Sequence, residues 1–188
     1  PGTILSKYIN SIPRENLTLD KFFNQELLRK IVIDYANINN IKKYQLVIHL
    51  RFGDMGDDNT NKISKSINNL IEKIKFKQKL HTIKIVCGVH KNNTFLNNKN
   101  IILNKTMEKY NEIVHKINQK YNINIIHEPN TVDNDLASMA IADYLLIHRG
   151  TFSYLGALIS SGIVLAMKEV TPNNVVKRLN EKINLSII

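Results

Sequence analysis

Tryptophan is absent from the 188 residues, and cysteine occurs once, at Cys87. A single cysteine excludes an internal disulfide framework, and its place in an apolar run suits a small core residue. Glycine (7) and proline (4) are scarce, which excludes collagen-like and low-complexity architectures. No apolar run approaches the roughly 20 residues that span a bilayer. The opening Pro1-Gly2-Thr3 lacks the charged start and apolar stretch of a secretory leader, as expected of a processed chain or an excised segment. These absences describe a soluble globular chain and leave its compartment unassigned.

Acidic residues are outnumbered, 16 Asp and Glu against 26 Lys and Arg, for a net charge of +10. That balance favours anionic partners: nucleic acid, a membrane surface or a phosphorylated substrate. The lysines, however, are spread among many Asn and Ile residues, as on a solvated surface. No compact Arg-rich stripe with interleaved aromatics is present, which single-stranded nucleic acid requires. Nucleic-acid binding is therefore the minor reading.

What is present is a chain long enough for one well-buried domain, in which apolar runs alternate with helical periods. Residues 1–43 read as an arm followed by a packing helix, with Phe23, Leu27, Leu28, Ile31, Val32 and Tyr35 at helical spacing and Thr18 or Asp20 as its cap. Residues 44–188 read as one domain. Strands are expected at about 44–50, 83–88, 122–126, 144–148 and 163–167, with a short one at 101–103. Between them fall a helix striped by Ile63, Ile67, Leu70, Ile71 and Ile74, and another lined by Met107, Tyr110, Val114, Ile117 and Tyr121. Helices at 133–142 and 151–160 follow, and Thr171-Pro172 opens a last one. Strands separated by helices of this length imply a Rossmann-like, doubly wound, mostly parallel α/β sheet.

Two stretches carry chemistry. In the first, Val47-Ile48-His49-Leu50-Arg51-Phe52-Gly53-Asp54, a β-branched run ends abruptly in polar groups. The two-residue period of a strand lets His49 and Arg51 leave one side of the sheet, at the carboxyl end where α/β sheets bind ligands. A guanidinium there suits a phosphate; the ordinary alternative is an Arg51–Asp54 pair closing a turn. In the second, Asp135 precedes Ala142-Asp143, an apolar strand and Gly150-Thr151-Phe152-Ser153. A Gly-Thr turn opening a helix offers free N–H groups and a positive dipole end, a natural phosphate seat, although most such turns are plain N-caps.

Together these stretches resemble the two signatures of the fucosyltransferases that use GDP-fucose, the α-1,2-, α-1,6- and protein O-fucosyltransferases. The resemblance covers most of residues 44–167. It implies the donor-binding half of a two-lobed (GT-B) glycosyltransferase, and inverting transfer from a GDP-sugar to a glycan or protein hydroxyl acceptor. It implies that His49 and Asp135 read the guanine and that Arg51 and Thr151 hold the pyrophosphate. Gly53, Asp54, Gly150 and Ser153 would stand beside them, and Phe152 near the base. Arg51 would stabilise the leaving GDP, and Asp57 and Asp58 are the candidate bases. Phe52 stands where the family often has a second Arg, and Gly150 where Ser is frequent. No resident cofactor and no metal is implied. Asp133-Asn134-Asp135 does spell D-x-D, a metal-binding device of another glycosyltransferase fold, but His81, His90, His115 and His127 have no ligand spacing. About 43 residues before the first strand are too few for a second sheet. The chain is therefore expected to bind GDP-sugar and to need an acceptor lobe, from a longer parent chain or a partner, for transfer. The alternative is a non-catalytic nucleotide-binding or interaction module of the same fold.

Overall fold

The computed structural model describes residues 24–52, 59–77, 79–89, 99–126, 131–167, 171, 173–180 and 185–187, together with Ile4. The elements among them, in chain order, are α1 (Gln25–Ile38), β1 (Leu46–Phe52), α2 (Thr60–Lys77), β2 (Thr82–Val89), α3 (Lys99–Lys120) and β3 (Asn124–Ile126). They continue with α4 (Val132–Ile141), β4 (Tyr144–Ile147), α5 (Thr151–Ile159), β5 (Ile163–Ala166), α6 (Asn173–Asn180) and β6 (Leu185–Ile187). The six strands form one sheet in the order β3-β2-β1-β4-β5-β6, and every pairing is parallel. This is the doubly wound Rossmann order, which reverses between β1 and β4.

The strand period divides β1 between two cores. Leu46, Ile48, Leu50 and Phe52 face α2 and α3, against Ile63, Ile67, Leu70, Ile71, Ile74, Ile113 and Ile117. Val47 faces the other way, with Val86, Leu145, Ile147, Met139, Ala157 and Leu179. A third cluster joins α1 to α4 and α5 through Leu28, Val32, Ala36, Leu136, Ala140 and Ile159, with Ile4 buried among them. Fully burying each of the larger aliphatic or phenyl side chains among them contributes about 1.5–3 kcal/mol before the entropy of ordering is counted.

Several expectations are corrected. Residues 101–103 lie inside α3 and form no strand. In that helix Ile113 is fully buried, whereas Met107 is 36% exposed. Helix α1 starts at Gln25 and is capped by Asn24, whose side chain accepts the Leu27 N–H at 2.9 Å; Thr18 and Asp20, the expected caps, lie outside the described residues. Its exit is a left-handed residue, Asn40, at φ 51°, a conformation Asn tolerates better than most. Thr171 donates its hydroxyl to the Ile147 carbonyl at 3.2 Å, tying the approach to α6 to the end of β4. Strand β6 was not expected.

Helix α5 is held at its far end by α1. Gln25 Nε2 and Arg29 Nη2 donate to the Leu158 carbonyl at 2.6 and 3.0 Å, and Arg29 Nε donates to Ile159 at 3.2 Å. The last carbonyls of a helix have no partners within it, and a cation there also meets the negative dipole end.

Candidate functional site

In a parallel sheet each connecting helix runs back against the strands, so a helix entering a strand begins at the carboxyl edge. Helices α4 and α5 both open there, on either side of β4. At this edge, where the sheet reverses between β1 and β4, His49 and Arg51 of the first sequence signature meet Gly150, Phe152 and Ser153 of the second, whereas Ala142-Asp143 lie at the other end of β4, where Asp143 pairs with Lys43.

His49 is 2% exposed and bonds through Nδ1 to Ser153 Oγ at 2.5 Å. Ser153 Oγ donates its single hydrogen to the Arg149 carbonyl at 3.0 Å. The hydroxyl therefore accepts from His49 Nδ1–H. The Phe152 ring lies against His49, centroids 5.4 Å apart and tilted by 58°. One imidazole thus links β1 to the first turn of α5.

Arg51 crosses to the same turn. Gly150 is the N-cap of α5, at φ 94° and ψ 164°, a region essentially restricted to glycine. A Cβ there would sit against Arg51 Nη1 and within 2.8 Å of Arg51 Cδ. The missing side chain is what lets the guanidinium cover the turn. Gly150 also brings no capping group, so the first-turn amides of Thr151, Phe152 and Ser153 keep the anion-binding capacity of a helix start. Thr151 is exposed and Ser153 is buried.

His148, 1% exposed, accepts the Arg51 backbone N–H on Nδ1 at 3.2 Å. Burial, aided by the charges of Arg149 and Arg51, pushes its pKa down from 6.5 to about 3. It is a neutral acceptor that fastens the end of β1 to the end of β4.

Asp135 lies in the first turn of α4, after the N-cap Thr131. Its Oδ1 is 3.6 Å from Nζ of Lys84, a lysine buried on β2. Asp133 Oδ2, by contrast, accepts the Ile4 N–H at 3.2 Å. The two acidic residues of D-x-D thus have different partners, and no group of His, Cys, Asp and Glu that could hold a metal occurs among the described residues. Phe52 faces the α2/α3 core, on the opposite side of β1 from Val47 and His49. Gly53, Asp54, Asp57 and Asp58 lie outside the described residues.

Lys84 and His148 escaped the sequence reading. Both had a signal: Lys84 is the charged residue within the apolar run Ile83-Lys84-Ile85-Val86, and His148 precedes Arg149 at the end of a second apolar strand.

Strand order and edge define a Rossmann-like α/β domain whose polar side chains gather at the reversal of the sheet. No protein-family model matches the chain, and no curated protein matches it. Among solved structures, a crystal structure of POFUT1 in complex with GDP-fucose is 12% identical at a TM-score of 0.44, over 86% of this chain and 58% of that one. One of POFUT1 in complex with GDP is 13% identical at 0.43, over 89% and 61%. The N-terminal domain of the Candida albicans trehalose-6-phosphate phosphatase is 14% identical at 0.44, over 85% and 39%. The chain thus spans less than two thirds of each of these structures. Likeness at this level carries no conclusion about activity, and the fold rests on the strand order and register.

Proposed function

We propose that this chain is a fucosyltransferase-like domain that binds a GDP-sugar at the carboxyl edge of its sheet. The reading rests on one observation: Arg51 lies over Gly150 at the uncapped start of α5. A permanent, forked cation beside a helix N-terminus is a seat for a diphosphate. The two sequence stretches that resemble the GDP-fucose-dependent enzymes are the ones that meet there. In this reading Arg51 and the first turn of α5 hold the pyrophosphate, and His49 and Asp135 face the guanine with Phe152 beside it. Transfer to a hydroxyl acceptor would have Arg51 and the α5 dipole stabilising departing GDP, with Asp57 or Asp58 as base and an acceptor lobe supplied from outside these residues.

A thermal-shift comparison of GDP, UDP, ADP and CMP tests the binding. GDP at a hundred-fold excess over its dissociation constant adds about 2.7 kcal/mol of stability, and ADP much less. At the same GDP concentration the gain falls to about 0.3–1.3 kcal/mol in Arg51→Ala. Equal responses to GDP and ADP, or an undiminished response in Arg51→Ala, would overturn the reading. A steep loss of binding with salt for any polyanion would favour the nucleic-acid alternative.

A further inference from the structure

The pairing of β1 with β4 ends at His49 and Ile147, whereas its pairing with β2 runs on to Phe52 and Val89. Over its last residues β1 therefore has a strand partner on one edge only. On the other edge the Arg51 N–H has passed the end of the ladder, and the side chain of His148 meets it: Nδ1 accepts at 3.2 Å. A backbone N–H shielded from water needs such an acceptor. Here a side chain supplies the bond that a strand would have made.

The acceptor is itself fixed. His148 is buried, and its ring centroid lies 6.3 Å from that of Phe52, with the planes tilted by 58°. An imidazolium has two N–H donors and no acceptor, so only the neutral ring makes this bond. Burial first, and then the charges of Arg149 and Arg51, keep the ring neutral, with a pKa of about 3.

The residues that leave β4 reach Arg51 a second time. Two places beyond His148 stands Gly150, where an added Cβ would lie 2.8 Å from Arg51 Cδ. Segment 148–150 thus meets Arg51 at both ends, an imidazole at its N–H and a bare α-carbon at its side chain. The second contact depends on the first, because a side chain reaches only as far as its Cα is placed. An apolar residue at 148 would fill the same buried space and leave the Arg51 N–H without this acceptor.

We propose that His148 is a positioning residue: by accepting the Arg51 N–H it fixes where Arg51 leaves β1, and so holds the guanidinium over Gly150 at the start of α5. The consequence for binding rests on the nucleotide reading above, in which Arg51 holds the pyrophosphate; the positioning itself does not.

Two measurements on the full chain test it: amide hydrogen exchange read residue by residue by NMR, and calorimetric titration of GDP and of pyrophosphate. In His148→Leu the Arg51 amide exchanges about ten-fold faster or more, while that of Ile48, in the middle of the same strand, keeps its protection. Both ligands bind about five-fold or more weakly, because the phosphate contact is what shifts. His148→Asn, whose amide oxygen can stand where Nδ1 does, keeps the exchange rate and both affinities within about two-fold of wild type. In an Arg51→Ala background His148→Leu costs no further affinity. A histidine that only filled space would show none of this selectivity: leucine would leave the Arg51 amide unchanged, or would lower protection throughout the strand. Either of those results, a failure of asparagine to rescue, or an independent loss of affinity in the Arg51→Ala background overturns the positioning role and leaves the nucleotide reading standing. A wild-type chain that binds neither ligand overturns the nucleotide reading, and the Arg51 amide still decides the positioning. If His148→Leu fails to fold, His148→Phe, which keeps a ring and lacks the acceptor, is decided by the same outcomes.

Discussion

The two faces of the sheet are built from the same strands and have opposite characters. Toward α2 and α3, strands β1 and β2 present Leu46, Ile48, Leu50, Ile83 and Ile85, and the helices answer with isoleucine and leucine. Toward α4 and α5 the alternate positions include His49 and Lys84, and the helices bring Ser138 and Ser153, all buried. The two-residue period of a strand is what allows this. One face concentrates apolar burial, and the other carries polar groups that reach the carboxyl edge. Stability and chemistry are therefore separable by substitution, even one residue apart.

The contrast breaks most visibly at Ile67. Ile67→Ala opens a cavity in the α2/α3 core and should lower the unfolding free energy by about 2–5 kcal/mol, read by urea denaturation, while the folded fraction keeps its nucleotide response. Arg51→Ala should do the reverse. Under the proposed nucleotide reading it should weaken GDP binding by about 1.5–3 kcal/mol, with little change in the urea midpoint; a large stability loss would show that the edge also supports the fold.

His148 sharpens the comparison through pH. Its pKa lies near 3 when folded, against the ordinary value of 6.5 that the unfolded chain restores, so the unfolded chain binds its proton first. Stability from this group is full above pH 6.5 and is lost progressively as pH falls from 6.5 toward 3. His148→Asn, which keeps an acceptor without a titrating ring, should flatten that part of the curve relative to wild type in denaturation at several pH values. The smallest effect belongs to Ser153→Ala, which removes the His49 bond and should cost about 1 kcal/mol. Measured nucleotide affinity should fall with it, because His49 loses its anchor on α5.

Much of the fold was legible because burial imposes periods. The Ile63-to-Ile74 stripe and the apolar strands stand where those periods predicted them. Short apolar segments were not: residues 101–103 satisfy a strand or a helix turn equally well, and the three residues of β6 are too few to show alternation. Lys84 was missed because a lysine reads as solvated surface, and only the sheet around it shows that it is enclosed. The meeting of His49 with Ser153, 104 positions apart, depends on β4 lying beside β1. That adjacency is a property of topology and not of any local pattern.

The clamp on α5 has a consequence for how the molecule is made. Gln25 and Arg29 stand 129 to 133 positions ahead of the carbonyls they hold, and His49 and Arg51 also precede the helix start they meet. A ribosome therefore delivers both holders before the helix they hold. Strand β1 can pair with β2 early, but its other edge stays unpaired until β4 emerges, after residues 53 to 143 have been added. At about 5–20 residues per second that interval lasts roughly 5–20 s. During it an apolar parallel edge is open to any other strand, so the nascent chain is most exposed to mispairing just before its site can assemble.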